Sequence, residues 1–234
     1  MHHEELETAK TVFLSTVSHE LRTPLTSIAG YVELLLDAEA GELNPAQQRM
    51  LEVIGRNTRR LRELIEDMLI AAAIESGEFR TAKRSVDLAG LVETALAEIA
   101  SAAAAASVRL CAQVYGPLPL DADPDQLDRV LADLLANAVK FTPPAGTVTV
   151  TGRRDGDTVV LAIADTGMGI PAAEQPALFD RFFRASNAID QASPGTGLGL
   201  AIARTIVESH DGRIEVRSAE KVGTTVTVWL PAAR

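Results

Sequence analysis

One histidine in this sequence is placed where it could act as a nucleophile. His19 lies in residues 13–25, where apolar residues recur at helical spacing. When seven-residue repeats are counted from Leu14, His19 falls opposite the apolar rows, so its imidazole is predicted to face water. At neutral pH such an imidazole is mostly uncharged and keeps a lone pair for attack on phosphorus. A solvated histidine without chemistry is the ordinary alternative, and the rest of the chain decides between the two.

A second group of residues could bind a metal ion and phosphate. Asp133, Asn137 and Lys140 are spaced i, i+4 and i+7, which places them on one face of a predicted helix. A carboxylate, an amide oxygen and an ammonium group suit hydrated magnesium and polyphosphate, because Mg²⁺ takes few protein oxygens and keeps several waters. The polar side of any amphipathic helix would give a similar pattern.

Two glycine-rich segments could form the rest of a nucleotide site. Asp165 follows a predicted buried strand and precedes Gly167 and Gly169, so its carboxylate could accept a hydrogen bond from an exocyclic amino group. Residues 195–199 read Gly-Thr-Gly-Leu-Gly and open into a predicted helix, whose free N–H groups attract phosphate. The spacing matches neither a dinucleotide fingerprint nor a Walker loop. Residues 178–194 are predicted to form a flap that carries basic residues toward the phosphates.

Two long helices joined by a short turn are predicted to carry His19. The second helix begins at Pro45, after the capping residue Asn44. Pro24, inside the first helix, predicts a bend one turn after His19. The predicted apolar rows are Leu14, Leu21, Ile28 and Leu35 with Val17, Pro24, Tyr31 and Ala38 in the first helix, and Met50, Ile54, Asn57, Leu61, Leu64, Met68 and Ala71 in the second.

These apolar faces are wider than one partner helix can cover. Two copies are therefore predicted to form a dimeric four-helix bundle, in which Asn57 would either set the register or reach the bundle edge.

The second half of the chain mixes strands and helices. Helices are predicted over 87–106, 124–140 and 198–209, and strands over 108–114, 146–153, 158–164, 213–217 and 224–230. Strands that neighbour each other as hairpins, with segregated helices, indicate an α+β two-layer sandwich. The predicted domains are an all-α helical hairpin over 1–76, a linker over 77–85 and the sandwich over 86–234.

Composition excludes several classes of protein. The net charge is −10, from 32 acidic and 22 basic residues, so nucleic acid is not an expected partner. Cys111 is the only cysteine, which rules out an internal disulfide and a cysteine metal cage. Neither an uninterrupted apolar run of membrane length nor a signal-peptide layout is present, so we expect a cytoplasmic chain without a membrane segment.

Five motifs in this order resemble a two-component sensor histidine kinase over nearly the whole chain. They are His19-Glu20-Leu21-Arg22-Thr23-Pro24-Leu25, Asn137-Ala138-Val139-Lys140-Phe141-Thr142, Asp165-x-Gly167-x-Gly169, Phe179-x-x-Phe182 and Gly195-x-Gly197-x-Gly199. The resemblance implies a dimerisation and phosphotransfer hairpin followed by a catalytic domain of the gyrase-type ATP-binding superfamily. It also implies bacterial two-component signalling with ATP and Mg²⁺ as cofactors, and a response regulator receiver domain as partner.

The resemblance also implies a role for each matching residue. His19 would be the phosphoacceptor, Glu20 would orient or deprotonate it, and Thr23 would help a water remove phosphate from the regulator. Asn137, with Asp133, would hold Mg²⁺, Lys140 and Arg184 the phosphates, and Asp165 the adenine amino group. The pocket and its lid would comprise Phe141, Gly167, Gly169, Gly195, Thr196, Gly197, Leu198 and Gly199. Two positions depart from the family pattern: Asp133 stands where asparagine is common, and Arg181 where proline is common.

The sequence therefore predicts an ATP-dependent protein-histidine kinase that autophosphorylates His19 and phosphorylates an aspartate of a regulator, with phosphatase activity toward that regulator. The alternatives are a serine kinase or ATPase of the same superfamily, and a dimeric scaffold with a degenerate nucleotide site. A zinc protease is excluded because Thr23 replaces the second histidine of H-E-x-x-H. The 18 residues before His19 are too few for a sensory domain, so the sensor is expected in a longer parent, with or without a membrane segment, or in a separate protein.

Overall fold

The computed structural model describes residues 21, 23–37, 41–190 and 195–233 of the chain. The chain divides into two compact units, Met1–Phe79 and Arg80–Arg234. His19 and Glu20 lie outside the described residues, as do Leu14, Val17 and Ala38 of the predicted apolar rows. Pro24 lies within the described residues, but the turn before it, across which the predicted bend would run, is only partly described.

The first unit contains two helices, α1 over residues 23–36 and α2 (Pro45–Glu75). Asn44 caps α2, since its side-chain oxygen accepts hydrogen bonds from the backbone N–H groups of Ala46 and Gln47 over 2.9 and 3.0 Å. The Gln47 side chain in turn accepts from the Asn44 backbone N–H over 2.9 Å. This reciprocal pair satisfies N–H groups that have no partner inside the helix. The predicted start of the second helix is confirmed.

The buried face of the hairpin differs from the predicted rows. Leu25 and Val32 of α1 are buried, and a Cβ added at Gly55 of α2 would meet Val32 Cγ1 at 3.3 Å. Buried residues of α2 include Ile65 and Ala72. Several residues of the predicted rows are exposed in the single chain: Leu21, Ile28 and Tyr31 in α1, and Met50, Ile54, Leu61 and Met68 in α2.

The second unit is a layer of helices packed on a sheet. Its strands are β1 (Arg84–Asp87), β2 (Arg109–Val114), β3 (Pro119–Ala122), β4 (Thr147–Asp155), β5 (Thr158–Asp165), β6 (Arg213–Ala219) and β7 (Gly223–Pro231). Its helices are α3 (Leu88–Ala105), α4 (Pro124–Phe141), α5 (Ser186–Asp190) and α6 (Gly199–Ser209), with a 3₁₀ turn at Gln175–Ala177. The α+β two-layer sandwich that the sequence predicts is confirmed.

The main sheet has the strand order β2-β4-β5-β7-β6. β2 runs parallel to β4, and the other neighbours are antiparallel. α4 packs between α3 and α6, and its leucines share a core with inward residues of β4 and β5 such as Val150 and Ile163. Since α4 occupies the middle of the helical layer, its remaining polar face is held in a fixed position at the edge of the core.

Two strands of the second unit do not follow from the sequence pattern. β1 and β3 pair antiparallel in a separate two-stranded sheet, with Val86 opposite Leu120. β1 begins at Arg84, inside the predicted linker, and both strands are only four residues long. Strands this short give too little alternation to be read from the sequence.

One helix among the described residues, α3, is long and apolar enough to pass a composition test for a membrane span. Core helices of soluble domains pass the same test. Leu88, Val92, Ala95 and Ala103 of α3 are buried within the sandwich, and this packing explains their apolar character.

Candidate functional site

The polar face of α4 presents the first group of candidate residues. Pro124 opens α4, and the side chain of Asp123 caps it by accepting a hydrogen bond from the Gln126 N–H over 3.3 Å. Asp133 and Asn137 are half-buried, whereas Lys140 is exposed in the last turn. Within the described part of the chain, the side-chain amide of Asn137 makes no hydrogen bond. Its oxygen is available to a ligand.

Asp165 ends β5, next to the start of β7. Its Oδ1 accepts hydrogen bonds from the backbone N–H groups of Gly167 over 2.8 Å and Thr224 over 3.2 Å. The other oxygen, Oδ2, has no hydrogen-bond partner among the described residues. Burial raises the pKa of the Asp165 carboxyl above its usual value, and the two backbone hydrogen bonds only partly offset this effect. The carboxylate is thus held firmly through one oxygen while the other remains open.

Gly167 and Gly169 allow the loop after β5 to pass close to its neighbours. A Cβ at Gly167 would lie 2.5 Å from the carbonyl oxygen of Phe141, which accepts a hydrogen bond from the Met168 N–H over 3.1 Å. Gly169 has a φ of +66°, and a Cβ there would clash with the backbone of Ala219. The loop is therefore clamped between the end of α4 and the β6–β7 turn, where only glycine fits.

The second glycine segment leads into α6 and approaches α4. A Cβ at Gly195 would lie 3.4 Å from Lys140 Nζ, and one at Gly199 would lie 3.5 Å from the Asp133 carboxyl carbon. The Leu198 N–H donates to the Thr196 hydroxyl over 3.1 Å, and no side chain caps the start of α6. Free backbone N–H groups at this helix start, beside an ammonium group, form an environment suited to phosphate.

Residues of the phenylalanine motif contact the glycine segment and α6. Gly197 has a φ of +74°, and a Cβ there would lie 2.6 Å from the Phe182 carbonyl carbon. The Phe182 N–H donates to the Gly197 carbonyl over 2.9 Å. The Arg204 guanidinium of α6 lies 5.6 Å from the centre of the Phe179 ring. The phenylalanine motif thus anchors the glycine segment.

Short hydrogen bonds also hold α5 beside the loop after β5. Glu174 accepts from the Ser186 N–H over 2.9 Å and from its hydroxyl over 2.6 Å. These hydrogen bonds hold the pKa of the Glu174 carboxyl below its usual range. Asn187 donates through Nδ2 to the Gly169 carbonyl over 2.9 Å. The segment that precedes residues 191–194 is therefore attached to the loop that carries Asp165.

Comparison with known proteins identifies what this arrangement belongs to. Residues 122–234 match the family described as "Histidine kinase-, DNA gyrase B-, and HSP90-like ATPase". Residues 9–77 match the "His Kinase A (phospho-acceptor) domain". The chain belongs to the sensor histidine kinases of two-component systems. This histidine kinase core joins a phosphoacceptor domain to an ATP-binding domain.

Named relatives of this histidine kinase core include two curated sensors. It is 39% identical over 226 residues to the circadian input-output histidine kinase CikA of Synechococcus elongatus. The matched region covers 95% of this chain and 30% of CikA. It is 34% identical over 230 residues to the sensor histidine kinase RcsC of Escherichia coli. Here the matched region covers 97% of this chain and 24% of RcsC. The chain thus spans less than a third of the length of either relative.

Solved structures agree with the fold. The crystal structure of full-length ShkA in complex with AMPPNP superimposes with a TM-score of 0.74 at 29% identity, over 94% of this chain and 45% of ShkA. The mycobacterial sensor histidine kinase MprB superimposes with a TM-score of 0.57 at 31% identity, over 64% of this chain and 98% of that structure.

The structure brings most of the predicted nucleotide residues of this kinase core together. Asp165, Gly167 and Phe141 meet at the end of α4, while Lys140 and Asp133 meet Gly195 and Gly199. Arg184 is half-buried just after the phenylalanine motif. Thr23 is exposed in α1, in the other unit, and His19 and Glu20 lie outside the described residues.

Sequence reasoning missed four residues that shape this site. They are Arg129, Glu174, Asn187 and Thr224. Arg129 could have been found, because it stands one helical turn before Asp133 and carries the opposite charge. Glu174, Asn187 and Thr224 act across loops through contacts that no sequence spacing indicates.

Proposed function

We propose that this chain autophosphorylates His19 with the γ-phosphate of ATP and passes the phosphoryl group to an aspartate of a response regulator. The observation that carries the proposal is the open Oδ2 of Asp165, in a loop that meets the same end of α4 as the glycine segment before α6, in a chain with a phosphoacceptor domain. An adenine amino group can donate to this oxygen, while the triphosphate extends toward Lys140 and the glycine segment. The AMPPNP complex of ShkA supports nucleotide binding at a site of this fold.

The residues of α4 are suited to the phosphates and to a magnesium ion. Lys140 and Arg184 supply positive charge, and Asn137 supplies a neutral oxygen that no described residue occupies. Asp133, one turn before Asn137, adds a carboxylate. This donor set fits Mg²⁺, which prefers oxygen ligands and completes its shell with water and phosphate. When bound, the ion would neutralise charge on the β- and γ-phosphates.

The phosphoryl transfer itself is a displacement at phosphorus. A ring nitrogen of His19 donates its lone pair to the γ-phosphorus, and the bond to the β–γ bridging oxygen breaks, so that ADP leaves with both bonding electrons. The other ring nitrogen carries a proton, which Glu20 would accept or stabilise. In a second displacement the regulator's aspartate takes the phosphoryl group and His19 returns to its starting form. Thr23 would position a water that attacks the phosphoaspartate of the regulator, so that inorganic phosphate leaves and the aspartate is restored.

The same proposal includes a homodimer formed by the helical hairpin. Met68 is 50% exposed, Met50 65% and Tyr31 67%, although all three lie on the predicted apolar rows of the two helices. An exposed apolar stripe that continues over both helices favours a second copy as its cover. Asn57 is also exposed, as a register residue of such a dimer would be in one chain alone.

The proposed organisation follows the domain division of the sequence: a hairpin over 1–76, a linker over 77–85 and a catalytic domain over 86–234. We also propose that this core works in the cytoplasm, where ATP and response regulators are present. Its sensor is proposed to lie elsewhere in a longer parent protein or in a separate chain.

Incubation with γ-labelled ATP and Mg²⁺ tests this function. The expected result is acid-labile, alkali-stable label on the chain, absent in His19→Gln and transferable to a receiver domain. Acid-stable label would favour a serine kinase of the same superfamily. ATP hydrolysis without label would favour an ATPase, and a chain that neither labels nor hydrolyses ATP would be a scaffold.

A further inference from the structure

Arg129 and Asp133 form an ion pair on α4, one helical turn apart. Arg129 Nε lies 3.1 Å from Asp133 Oδ2, and the two side chains are only 20% and 18% exposed. A second pair with the same spacing, Arg204 and Glu208 on α6, is by contrast 53% and 55% exposed. Partial burial weakens the screening by water, so the Arg129–Asp133 pair interacts more strongly than a surface pair.

The pair stands beside the groups that would meet the nucleotide. Asp133 precedes Asn137 by one turn of α4, and its carboxyl carbon lies 3.5 Å from the position of a Cβ on Gly199. Gly199 begins α6, whose free N–H groups are suited to phosphate. A carboxylate at this place without a positive partner would repel a triphosphate and would attract a divalent cation.

We propose that Arg129 is a positioning residue for nucleotide binding, which acts through Asp133. Its guanidinium balances the negative charge of Asp133 and holds Oδ2 of that carboxylate against Arg129 on α4. The phosphate end of the site therefore carries little net negative charge before ATP arrives. This inference rests on the proposed function, because it assigns the ATP phosphates to this end of α4.

A set of four variants separates charge balance from packing. Arg129→Gln removes the positive charge, and Arg129→Lys keeps it without the fork geometry. Asp133→Asn removes the negative charge, and the double variant Arg129→Gln with Asp133→Asn removes both. Arg153→Gln on β4 is a matched control for net charge, since its partner Asp155 is 3.7 Å away and both side chains are exposed. ATP affinity, its Mg²⁺ dependence and the melting temperature are measured for each.

The expected results follow from the charge near the triphosphate. Arg129→Gln should bind ATP about tenfold more weakly and should need less Mg²⁺ for half-maximal binding, because the Asp133 carboxylate, no longer balanced by the guanidinium, repels phosphate and attracts the cation. Arg129→Lys and the double variant should stay within about twofold of the parent chain. Asp133→Asn should bind ATP at least about threefold more tightly in the absence of Mg²⁺, because it removes the negative charge that opposes the phosphates. It should need more Mg²⁺ for half-maximal binding, because it also removes a carboxylate that would attract the cation.

Several outcomes would overturn the inference. They are an Arg129→Gln affinity equal to that of Arg153→Gln, a double variant as weak as Arg129→Gln, or Arg129→Lys as weak as Arg129→Gln. Should Arg129→Gln fail to fold, an Asp133→Asn affinity equal to that of the parent in the absence of Mg²⁺ would overturn it instead. If the parent chain itself binds no ATP, the proposed function fails, which is distinct from these results.

Discussion

The Thr224 backbone N–H donates a hydrogen bond to Asp165 Oδ1 over 3.2 Å, although 59 residues separate the two in the chain. The contact exists because β5 and β7 are antiparallel neighbours, with Asp165 paired to Thr224 at the end of the ladder. A second hydrogen bond from Gly167 reaches the same oxygen. The sheet therefore orients the Asp165 carboxylate before any ligand binds, and this lowers the ordering cost of binding.

Asp165→Asn is expected to fold normally and to lose ATP affinity by more than about tenfold. An asparagine oxygen can still accept the hydrogen bonds from Gly167 and Thr224, so the loop is retained. The amide nitrogen then replaces Oδ2 and presents a donor to the adenine amino group. Titration calorimetry gives the affinity and a thermal melt gives the stability. Unchanged affinity in a folded variant would contradict the adenine role of Asp165.

The raised pKa of Asp165 predicts a pH dependence with a definite sign. Binding of the adenine amino group needs the ionised carboxylate, so ATP affinity should fall as the pH drops through the pKa of Asp165. Because this pKa is raised, the fall should occur at a higher pH than for an ordinary aspartate with a pKa of 3.8. In the absence of ATP the sign reverses, because protonation relieves a buried charge. The stability of the parent chain should therefore rise relative to Asp165→Asn over the same pH window.

This pH dependence is measured as ATP affinity and as melting temperature from about pH 8 to about pH 4, so that the window reaches the ordinary aspartate value. The phosphates of ATP also titrate, and Asp165→Asn serves as the control because it keeps the phosphate contribution alone. Parallel pH profiles for the two chains would show that Asp165 does not titrate in this range.

Gly197→Ala is expected to weaken ATP binding by about tenfold or more. The φ of +74° is strained for alanine, and the added Cβ would meet the Phe182 backbone at 2.6 Å, so the glycine segment must move. Gly90→Ala on α3 is the control, because no atom lies within 4 Å of its added Cβ. The control should leave ATP affinity unchanged and stabilise α3 by about 0.5–1 kcal/mol. Equal ATP affinities for the two variants would argue against a role for this segment.

Asn44→Ala is expected to destabilise the hairpin by about 1 kcal/mol. The substitution leaves the N–H groups of Ala46 and Gln47 without their side-chain acceptor. Thermal unfolding followed by circular dichroism measures the change. Asn44→Ser retains an acceptor and should recover most of the stability. A serine variant as unstable as the alanine variant would mean that the cap contributes little.

Ile54→Lys is expected to weaken the proposed homodimer by at least about tenfold. Ile54 is 44% exposed in the single chain and belongs to the apolar stripe that a second copy would cover. Gln48→Lys, on a polar position of the same helix, introduces the same charge as a control. Sedimentation equilibrium gives the association constants. A dimer that tolerates both substitutions equally would place the interface on another face.

The sequence predicted the sandwich well because β4 alternates, β5 is a short apolar run, α4 begins at Pro124 and α6 follows the glycine segment. Asp165 at the end of β5 and the spacing of Asp133, Asn137 and Lys140 were readable for the same reason. The hairpin was less predictable. An apolar heptad row looks alike whether it faces the helix next in the chain or a second copy, so the predicted rows do not include the buried positions Leu25 and Val32.

Long-range contacts account for the remaining differences. The pairing of β1 with β3 and the hydrogen bond from Thr224 to Asp165 join segments that have no shared local pattern. The contact between Glu174 and Ser186 crosses a loop whose length does not determine its path. Such contacts depend on the closure of the whole fold, and a single sequence carries no direct signal of them.

The two edge strands of the main sheet, β6 and β2, differ in how many charged residues they carry, and this difference affects the tendency of the protein to aggregate. β6 presents Arg213, Glu215 and Arg217, and this alternation of charges discourages pairing with another strand. β2 carries only Arg109, at its start, and the register with β4 turns the N–H groups of its even-numbered residues outward. At high concentration the β2 edge is therefore the place where aggregation would begin. A lysine introduced at the exposed Gln113 should make the protein more soluble without altering its fold.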